Sequence, residues 1–393
     1  QLYAQHDNAI NKVNLPNGTL ELSFQGKGLF NQDSRFKQIL PKFQQKLEEV
    51  RELTNQTLFE LYHEQERMLA NVEALVGDIT EQIDRLDYYS EKGYQLADLL
   101  SDQKNLAQDG FILMITNPED PLSTNLDWLM LDASDVLNQI YSRFDHIAFV
   151  SATLTSDHNF DYAISQLALG KMNLVKYIGK STFNMKKHLE AFAVTNMPNP
   201  DSEDYQKDIA QIMVNDLADK NHVLVLMTNL DKIHDVFTEI LNAPELKDFE
   251  ILAQGMSGSN NRIAKRFVIA KKAIIIGADS FWEGIDFHDC GIDTVFAARL
   301  PFESPDQPEV RLRQKKLEDQ GANVFEKDSL PRAIIRFRQG MGRLIRGEHD
   351  HGQFVILDSR IWTKNYGDAF LQSIPVKVEK VTLKELKKKL RNK

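Results

Sequence analysis

Four arginines and a glutamine in the segment PRAIIRFRQGMGRLIR (331–346) recur at spacings suited to binding phosphoryl oxygens. At 100° per residue, Arg332, Arg336, Gln339, Arg343 and Arg346 follow one another at intervals of four, three, four and three, so they share one helical face. Ile334, Phe337, Met341, Leu344 and Ile345 take the opposite face, which gives the helix an inside. Pro331 suits a first helical turn, where its missing N–H costs nothing. Gly340 and Gly342 each cost roughly 1 kcal/mol against alanine within a helix, so something is expected to approach the backbone closely there. A basic stripe is more often a solvated face. Such faces mix Glu with Lys at four-residue spacing, whereas residues 331–346 hold five arginines, no lysine and no acid. The rigid guanidinium fork matches phosphate bidentately and an ammonium does not. Both readings stay open at this point, with the phosphate-facing one preferred.

The remaining sequence must position that helix. A chain of 393 residues has room for two or three domains, each with its own core. Hydrophobic content of 42% and charged content of 26% are those of a globular protein. The single cysteine, Cys290, excludes an internal disulfide and any multi-cysteine metal site, and fits a reducing, cytoplasmic setting. No run of about 18 apolar residues is present to span a bilayer, and no secretory leader is expected. The chain opens on Gln1 rather than Met, which suggests a portion of a longer protein. Net charge is −10, with +5 in 331–346 and +6 in 377–393, which leaves −21 for everything else. A polyanionic partner is therefore expected in a local channel, because the surface at large would repel it.

Residues 11–24 read as a β-hairpin, NKVN and TLELSF around Leu15-Pro16-Asn17-Gly18. From Asp33 to about residue 105 apolar residues recur at three and four, which predicts two or three long antiparallel helices. Pairing of these helices with a second copy is the alternative. GFILMIT and DWLMLDA read as strands, Val136 to Phe144 as a helix, and HIAFV (146–150) as a short buried strand running into Ser151-Ala152-Thr153-Leu154-Thr155. Beyond residue 185 the apolar runs VLVLMT (223–228), EILAQ (250–254), AIIIGA (273–278), TVFAA (294–298) and FVILD (354–358) alternate with helical stretches such as Tyr205–Leu217 and Asp231–Leu241. Strands apolar on both faces with helical crossovers predict a parallel α/β sheet, whose ligands sit at the carboxyl ends of the strands. The loops after the runs hold Thr228-Asn229, Gln254 to Gly258, Asp279 to Phe287, and Ser359-Arg360. Glu283 and Asp286 could equally be capping or surface acids, and Trp282 half-buried core.

SATLT (151–155), GADSFWEGIDF (277–287), QGMGRLIR (339–346) and LDSRI…YG…F…IP (357–375) resemble, in this order, motifs III, V and VI and the C-terminal signature of superfamily 2 DNA helicases of the DinG/XPD type. The likeness runs from about Asp145 to Pro375, and residues 33–105 match the family's helical arch insertion by position only. It implies an α/β, RecA-like fold of the P-loop NTPase superfamily, divided into a hairpin and arch-like region (1–108), a remnant of the first RecA-like domain (109–180) and a second RecA-like domain (181–393). It also implies that Arg343 and Arg346 are arginine fingers with Gln339 near the γ-phosphate of ATP. Glu283, Gly284, Asp286 and Gly342 would contact or sense the nucleotide. Ser151 and Thr153 would couple hydrolysis to strand movement, and Thr228, Ser280 and Trp282 would lie along single-stranded DNA.

The sequence departs from the family in two places. GxxxxGK[ST] is absent, since Leu174 stands where Gly179-Lys180-Ser181-Thr182 would need its leading glycine, and no DEAH-like box follows. The phosphate loop, the Mg²⁺ ligands and any iron–sulfur cysteines are therefore expected outside this chain, on the missing first RecA-like domain of the same protein. The resemblance implies an ATP-dependent helicase moving 5′→3′ on single-stranded DNA, with this chain alone inactive as an ATPase. The alternative is a RecA-like domain that regulates or scaffolds an attached exonuclease without catalysis of its own.

Overall fold

The computed structural model describes residues 132–393 apart from 156–158, 180–183, 203, 218, 286, 288–289, 346, 348–349 and 392–393, together with four strands and eight scattered helical positions between 42 and 60 nearer the amino terminus. The chain forms two compact units that meet between Asp135 and Val136. In the first, β1 (Ile10–Asn14), β2 (Leu20–Gln25), β3 (Gly110–Thr116) and β4 (Asn125–Met130) form an antiparallel sheet in that order. The expected hairpin is β1 with β2, Ile10 opposite Phe24 and Asn14 opposite Leu20. Strand β3 then pairs with β2 and β4 with β3. Residues 110–130 thus extend the hairpin sheet, and the compact boundary falls well after residue 108. The helices expected over 33–105, the turn at Leu15–Gly18 and the segment 180–183 lie outside the described residues, save the eight helical positions.

The second unit begins with α1 (Ser134–Tyr141) and α2 (Asp161–Gln166), then α3 (Met185–His188) leads into a seven-stranded sheet. Its strands are β5 (Leu189–Val194), β6 (His222–Leu226), β7 (Glu250–Ala253), β8 (Ala273–Gly277), β9 (Thr294–Ala297), β10 (Gly352–Ile356) and β11 (Val378–Val381). They lie in the order β11-β5-β10-β9-β6-β8-β7, and every pair is parallel. Alternate side chains point to opposite faces. Leu224, Leu226, Ile275, Val295, Phe354 and Ile356 meet α6 (Asn260–Ile269), α8 (Leu330–Met341) and α10 (Gly367–Gln372) on one side. Val223, Val225, Ile274, Ile276, Phe296 and Val355 meet α4 (Asp204–Asp216), α5 (Leu230–Ile240) and α11 (Leu383–Arg391) on the other. Helices α7 (Pro308–Asp319) and α9 (Arg360–Thr363) complete the unit. This is the parallel α/β sheet that the five apolar runs predict, with the runs buried on both faces except at the edge strand β7, where Glu250 and Ile251 are half-buried.

HIAFV is not a strand. Residues 146–150 take no regular structure, and Val150 is 93% exposed. A five-residue segment with four apolar side chains becomes a strand only where a neighbouring strand accepts its backbone hydrogen bonds, and among the described residues none lies alongside. Further exposed apolar side chains follow in the same region, with Val175 at 100% and Tyr177 at 84%.

Candidate functional site

Because the strands are parallel, their carboxyl ends share one edge, and side chains lace the loops there together. The Ala278 N–H donates to Gln254 Oε1 at 2.7 Å, joining the loops after β7 and β8. Trp282 Nε1–H donates to the Met227 carbonyl at 2.7 Å, joining the loops after β8 and β6. Leu300 N–H donates to Asp358 Oδ2 at 2.8 Å, joining those after β9 and β10. The fully buried Asp358 is also held by Arg360 through Nε at 2.9 Å and Nη2 at 2.6 Å.

Helix α8 follows a π-helical turn, Phe325–Ser329, and carries Pro331 in its first turn. Ile334, Phe337 and Met341 are buried on its sheet side, as the spacing predicts, and Ala333 is buried with them. The helix ends at Met341, so Arg343 lies in the turn beyond it rather than one rung further along the stripe, while Arg346 and Asp286 fall outside the described residues. The close approach expected at the glycines occurs at Gly340. A Cβ there would stand 2.6 Å from the Trp282 ring and 2.8 Å from Leu226. Gly342 faces only helix carbonyls, the nearest 3.3 Å away, and is exposed. Trp282 is therefore core: fully buried, packed on Gly340 and pinned by Met227. Of the two readings of Trp282, its burial fits core and not a residue lying along single-stranded DNA.

The arginine stripe divides on folding. Arg332 Nε donates to buried Asp328 Oδ1 at 2.8 Å, its Nη2 reaches Gln166 Oε1 at 3.1 Å, and its guanidinium lies over the Tyr162 ring. Burial pushes the Tyr162 hydroxyl well above its ordinary value. Arg336 stands among three carboxylates, Glu283 at 3.5 Å, Glu303 at 3.6 Å and Asp279 at 3.7 Å. Arg313 bonds both Glu303 and Asp328 and closes the network. These two arginines are thus countered by their own chain, contrary to a stripe wholly available to phosphate. Arg343 donates to the carbonyls of Ile285 and Trp282 and sits 5.7 Å from the Phe287 ring centroid, so it braces the 278–287 loop from behind. Gln339 is half-buried, and its Oε1 is buried without a hydrogen-bond partner among the described residues.

Other expected residues are placed as follows. Glu283 is partly exposed beside Arg336, and Gly284 is exposed with φ +91°, a conformation that favours glycine. Ser280 accepts a hydrogen bond from Asn260 Nδ2 at 2.9 Å, and Thr228 is half-buried just ahead of the Asn229 cap of α5. Ser151 Oγ lies 3.1 Å from Thr153 Oγ1 and accepts the Thr153 N–H at 3.1 Å, forming a tight hydroxyl pair. One residue off the stripe joins this turn to α8. Arg338 donates through Nη1 to the Thr155 carbonyl at 2.5 Å and through Nη2 to the Ala152 carbonyl at 2.8 Å. The face count that found the stripe passes over Arg338, and its partners lie 183 and 186 residues away. Among the described residues no group of three His, Cys, Asp or Glu side chains forms a metal site, and no helix is long and apolar enough to cross a membrane.

The sequence matches the family described as the helicase C-terminal domain over residues 214–377. It is 33% identical over 257 residues to the 3′-5′ exonuclease DinG of Bacillus subtilis (strain 168), covering 63% of this chain and 27% of that protein. It is 30% identical over 289 residues to the protein of the same name from Staphylococcus saprophyticus, covering 70% of this chain and 31% of that one. The chain thus spans less than a third of the length of these relatives. Two solved structures share the fold at 15% identity. An apo XPD structure has a TM-score of 0.51 over 80% of this chain and 63% of its own, and an XPD helicase structure has 0.50 over 87% and 64%.

Proposed function

Starting from a chain that carries the C-terminal helicase domain of a DinG/XPD-type superfamily 2 helicase, we propose that the whole protein couples ATP hydrolysis to 5′→3′ movement along single-stranded DNA. The observation that carries this reading is the joining of the 278–287 loop to α8 by Trp282 on Gly340 and by Arg343 on the Ile285 and Trp282 carbonyls. One braced sheet edge then holds the acidic loop and the Gln339–Arg343 segment together.

ATP is the substrate, seated on a first RecA-like lobe, and this chain reaches it across the cleft. Arg346 spreads charge off the equatorial phosphoryl oxygens, a contribution worth about 10³–10⁵ in rate for an arginine finger, while Arg343, whose Nη1 and Nη2 are taken by the Ile285 and Trp282 carbonyls, braces the 278–287 loop in place of the finger role that the resemblance implies. Gln339, whose carboxamide oxygen has no donor among the described residues, turns its NH₂ toward the γ-phosphate. Glu283, Gly284, Asp286 and Gly342 register the nucleotide, and Ser151 and Thr153 pass its state on. Thr228 and Ser280 line the strand path. The exposed apolar side chains Phe149, Val150, Val175 and Tyr177 fit a surface that the first lobe covers, and HIAFV fits a strand that this lobe would complete. The described residues offer no three-ligand set for Mg²⁺.

In the whole protein, Arg346→Ala should remove most DNA-stimulated ATP hydrolysis and leave DNA affinity nearly intact. Equal loss of both makes Arg346 a DNA contact instead. This chain alone should hydrolyse ATP no faster than background with single-stranded DNA present, and turnover at a motor's rate refutes the division of labour. A second reading is favoured by the exonuclease name of the relatives and by the carboxylates around Arg332 and Arg336. In it the domain regulates or scaffolds an attached exonuclease. A whole protein without DNA-stimulated ATPase, whose nuclease rate falls when this chain is removed, would decide for that reading.

A further inference from the structure

Within α8, Arg332 and Arg336 meet carboxylates, whereas the partners of Arg338 among the described residues are uncharged oxygens: the Ala152 carbonyl, the Thr155 carbonyl and, at 3.4 Å, the Thr155 hydroxyl. A guanidinium taken half out of water without a counter-charge is costly, and burial lowers the Arg338 pKa below its ordinary value. Packing alone would be served better by an apolar side chain or an ion pair. What the fork gains is geometry. Its two terminal nitrogens take carbonyls at either end of one turn, Ala152 and Thr155, which a single ammonium cannot do. The Thr153 hydroxyl lies within that turn and the Ser151 hydroxyl just before it, 3.1 Å apart. The next residue on α8 is Gln339.

We propose that Arg338 is a positioning residue that clasps the Ala152–Thr155 turn onto α8, so that displacement of α8 displaces the Ser151/Thr153 hydroxyl pair. The clasp stands on geometry alone; its role in coupling hydrolysis to strand movement rests on the helicase reading. Arg338 touches neither ATP nor DNA in this scheme. Its loss uncouples the motor and leaves hydrolysis running.

Two measurements on Arg338→Ala and Arg338→Lys test the pair of statements separately. The first is amide hydrogen exchange of this chain. Both variants should raise exchange across 151–155 by about tenfold or more, the loss of one charged hydrogen bond's worth of local stability. Peptides from β6, β8 and the 330–337 half of α8 should keep parental exchange. Unchanged exchange at 151–155 overturns the clasp, and equal acceleration throughout the sheet makes Arg338 an ordinary stabilising residue. The second uses the whole protein and compares ATP consumed with base pairs opened. Both variants should keep DNA-stimulated ATPase within about threefold while unwinding drops about tenfold, so the ATP spent per base pair rises. Parallel loss of both activities, or full coupling in Arg338→Lys, overturns the positioning role. A parent with no DNA-stimulated ATPase refutes the helicase reading and the coupling role with it, while the exchange result still decides the clasp.

Discussion

Gly340→Ala should destabilise the second unit although alanine is the better helix former. The added Cβ would stand 2.6 Å from Trp282 Cε3, 2.9 Å from its Cζ3 and 2.8 Å from Leu226 Cδ1, all closer than carbon atoms tolerate. Neither neighbour can yield easily. Both are fully buried, and the indole is pinned by its 2.7 Å bond to the Met227 carbonyl. Overpacking of this kind costs about 1–3 kcal/mol. Moving the ring forfeits a hydrogen bond worth about 1 kcal/mol, while the helix gains back roughly 1 kcal/mol from losing a glycine. The net cost is about 1–3 kcal/mol, or a Tm lower by roughly 2–4 °C per kcal/mol for a unit of this size. Gly342→Ala is the internal control. Its φ of −61° suits any residue, and its nearest neighbours are helix carbonyls at 3.3 and 3.4 Å, so it should stay within about 0.5 kcal/mol of the parent. Urea and thermal melts of both variants, followed by tryptophan emission, give the comparison. A Gly340→Ala protein as stable as the parent, or indistinguishable from Gly342→Ala, would show that Trp282 does not bear on α8 and that the 278–287 loop is not docked there.

A chain keeping Trp282 as its sole tryptophan (Trp128→Phe, Trp362→Phe) should emit in the blue and stay unquenched when oligo-dT is added; quenching would put it on the DNA path. Asp358→Asn should cost about 3–5 kcal/mol in a urea melt, because it strands the Arg360 guanidinium without its buried counter-charge, and a loss under 1 kcal/mol would refute that account. Burial raises the Asp216 pKa above its ordinary 3.8, and Lys387 and Arg391 offset this only in part. A carboxyl raised in the folded state contributes stability below its unfolded pKa and loses it as pH rises through the folded value. Relative to Asp216→Asn, the parent should therefore gain stability as pH falls from 7 toward 4, and a flat difference between them would contradict the shift.

The sheet was legible because its strands are buried on both faces, and such strands announce themselves as apolar runs. Strands β6 to β10 all fall on runs read from the sequence. Two strands gave weaker signals. β5 is interrupted by Glu190, and β11, VEKV at the sheet's edge, exposes Glu379 and Lys380 and lacks the continuous apolar pattern. HIAFV failed in the other direction. Its composition suits a strand, but pairing depends on a neighbour that five residues cannot specify. The inside of α8 was legible for the same reason as the sheet, since helical spacing fixes which side chains meet the core. Trp282 was left between half-buried core and the DNA path because residue type suits both, whereas its burial was set by a glycine 58 positions away. Arg338 was missed because a helical wheel ranks residues by face and says nothing of a turn 183 residues distant.

The sequence charge of +5 over 331–346 also does not survive folding as a +5 surface. Asp328 lies 2.8 Å from Arg332, and Asp279, Glu283 and Glu303 lie 3.5–3.7 Å from Arg336, so the first half of the helix is electrically answered from within the chain. Whatever attraction the segment exerts on a phosphate must arise after Phe337. That half begins with Arg338 on neutral carbonyls, continues through Gln339 and Arg343, and leads toward Arg346. The division has a mechanical consequence. Arg332 and Arg336 fix α8 to the acidic loop, to the helix that carries Arg313 and to Gln166, while Arg338 reaches the serine–threonine turn. A force applied at Gln339 or Arg343 is then carried through Arg338 to Ala152 and Thr155, because the other end of the helix is already tied down.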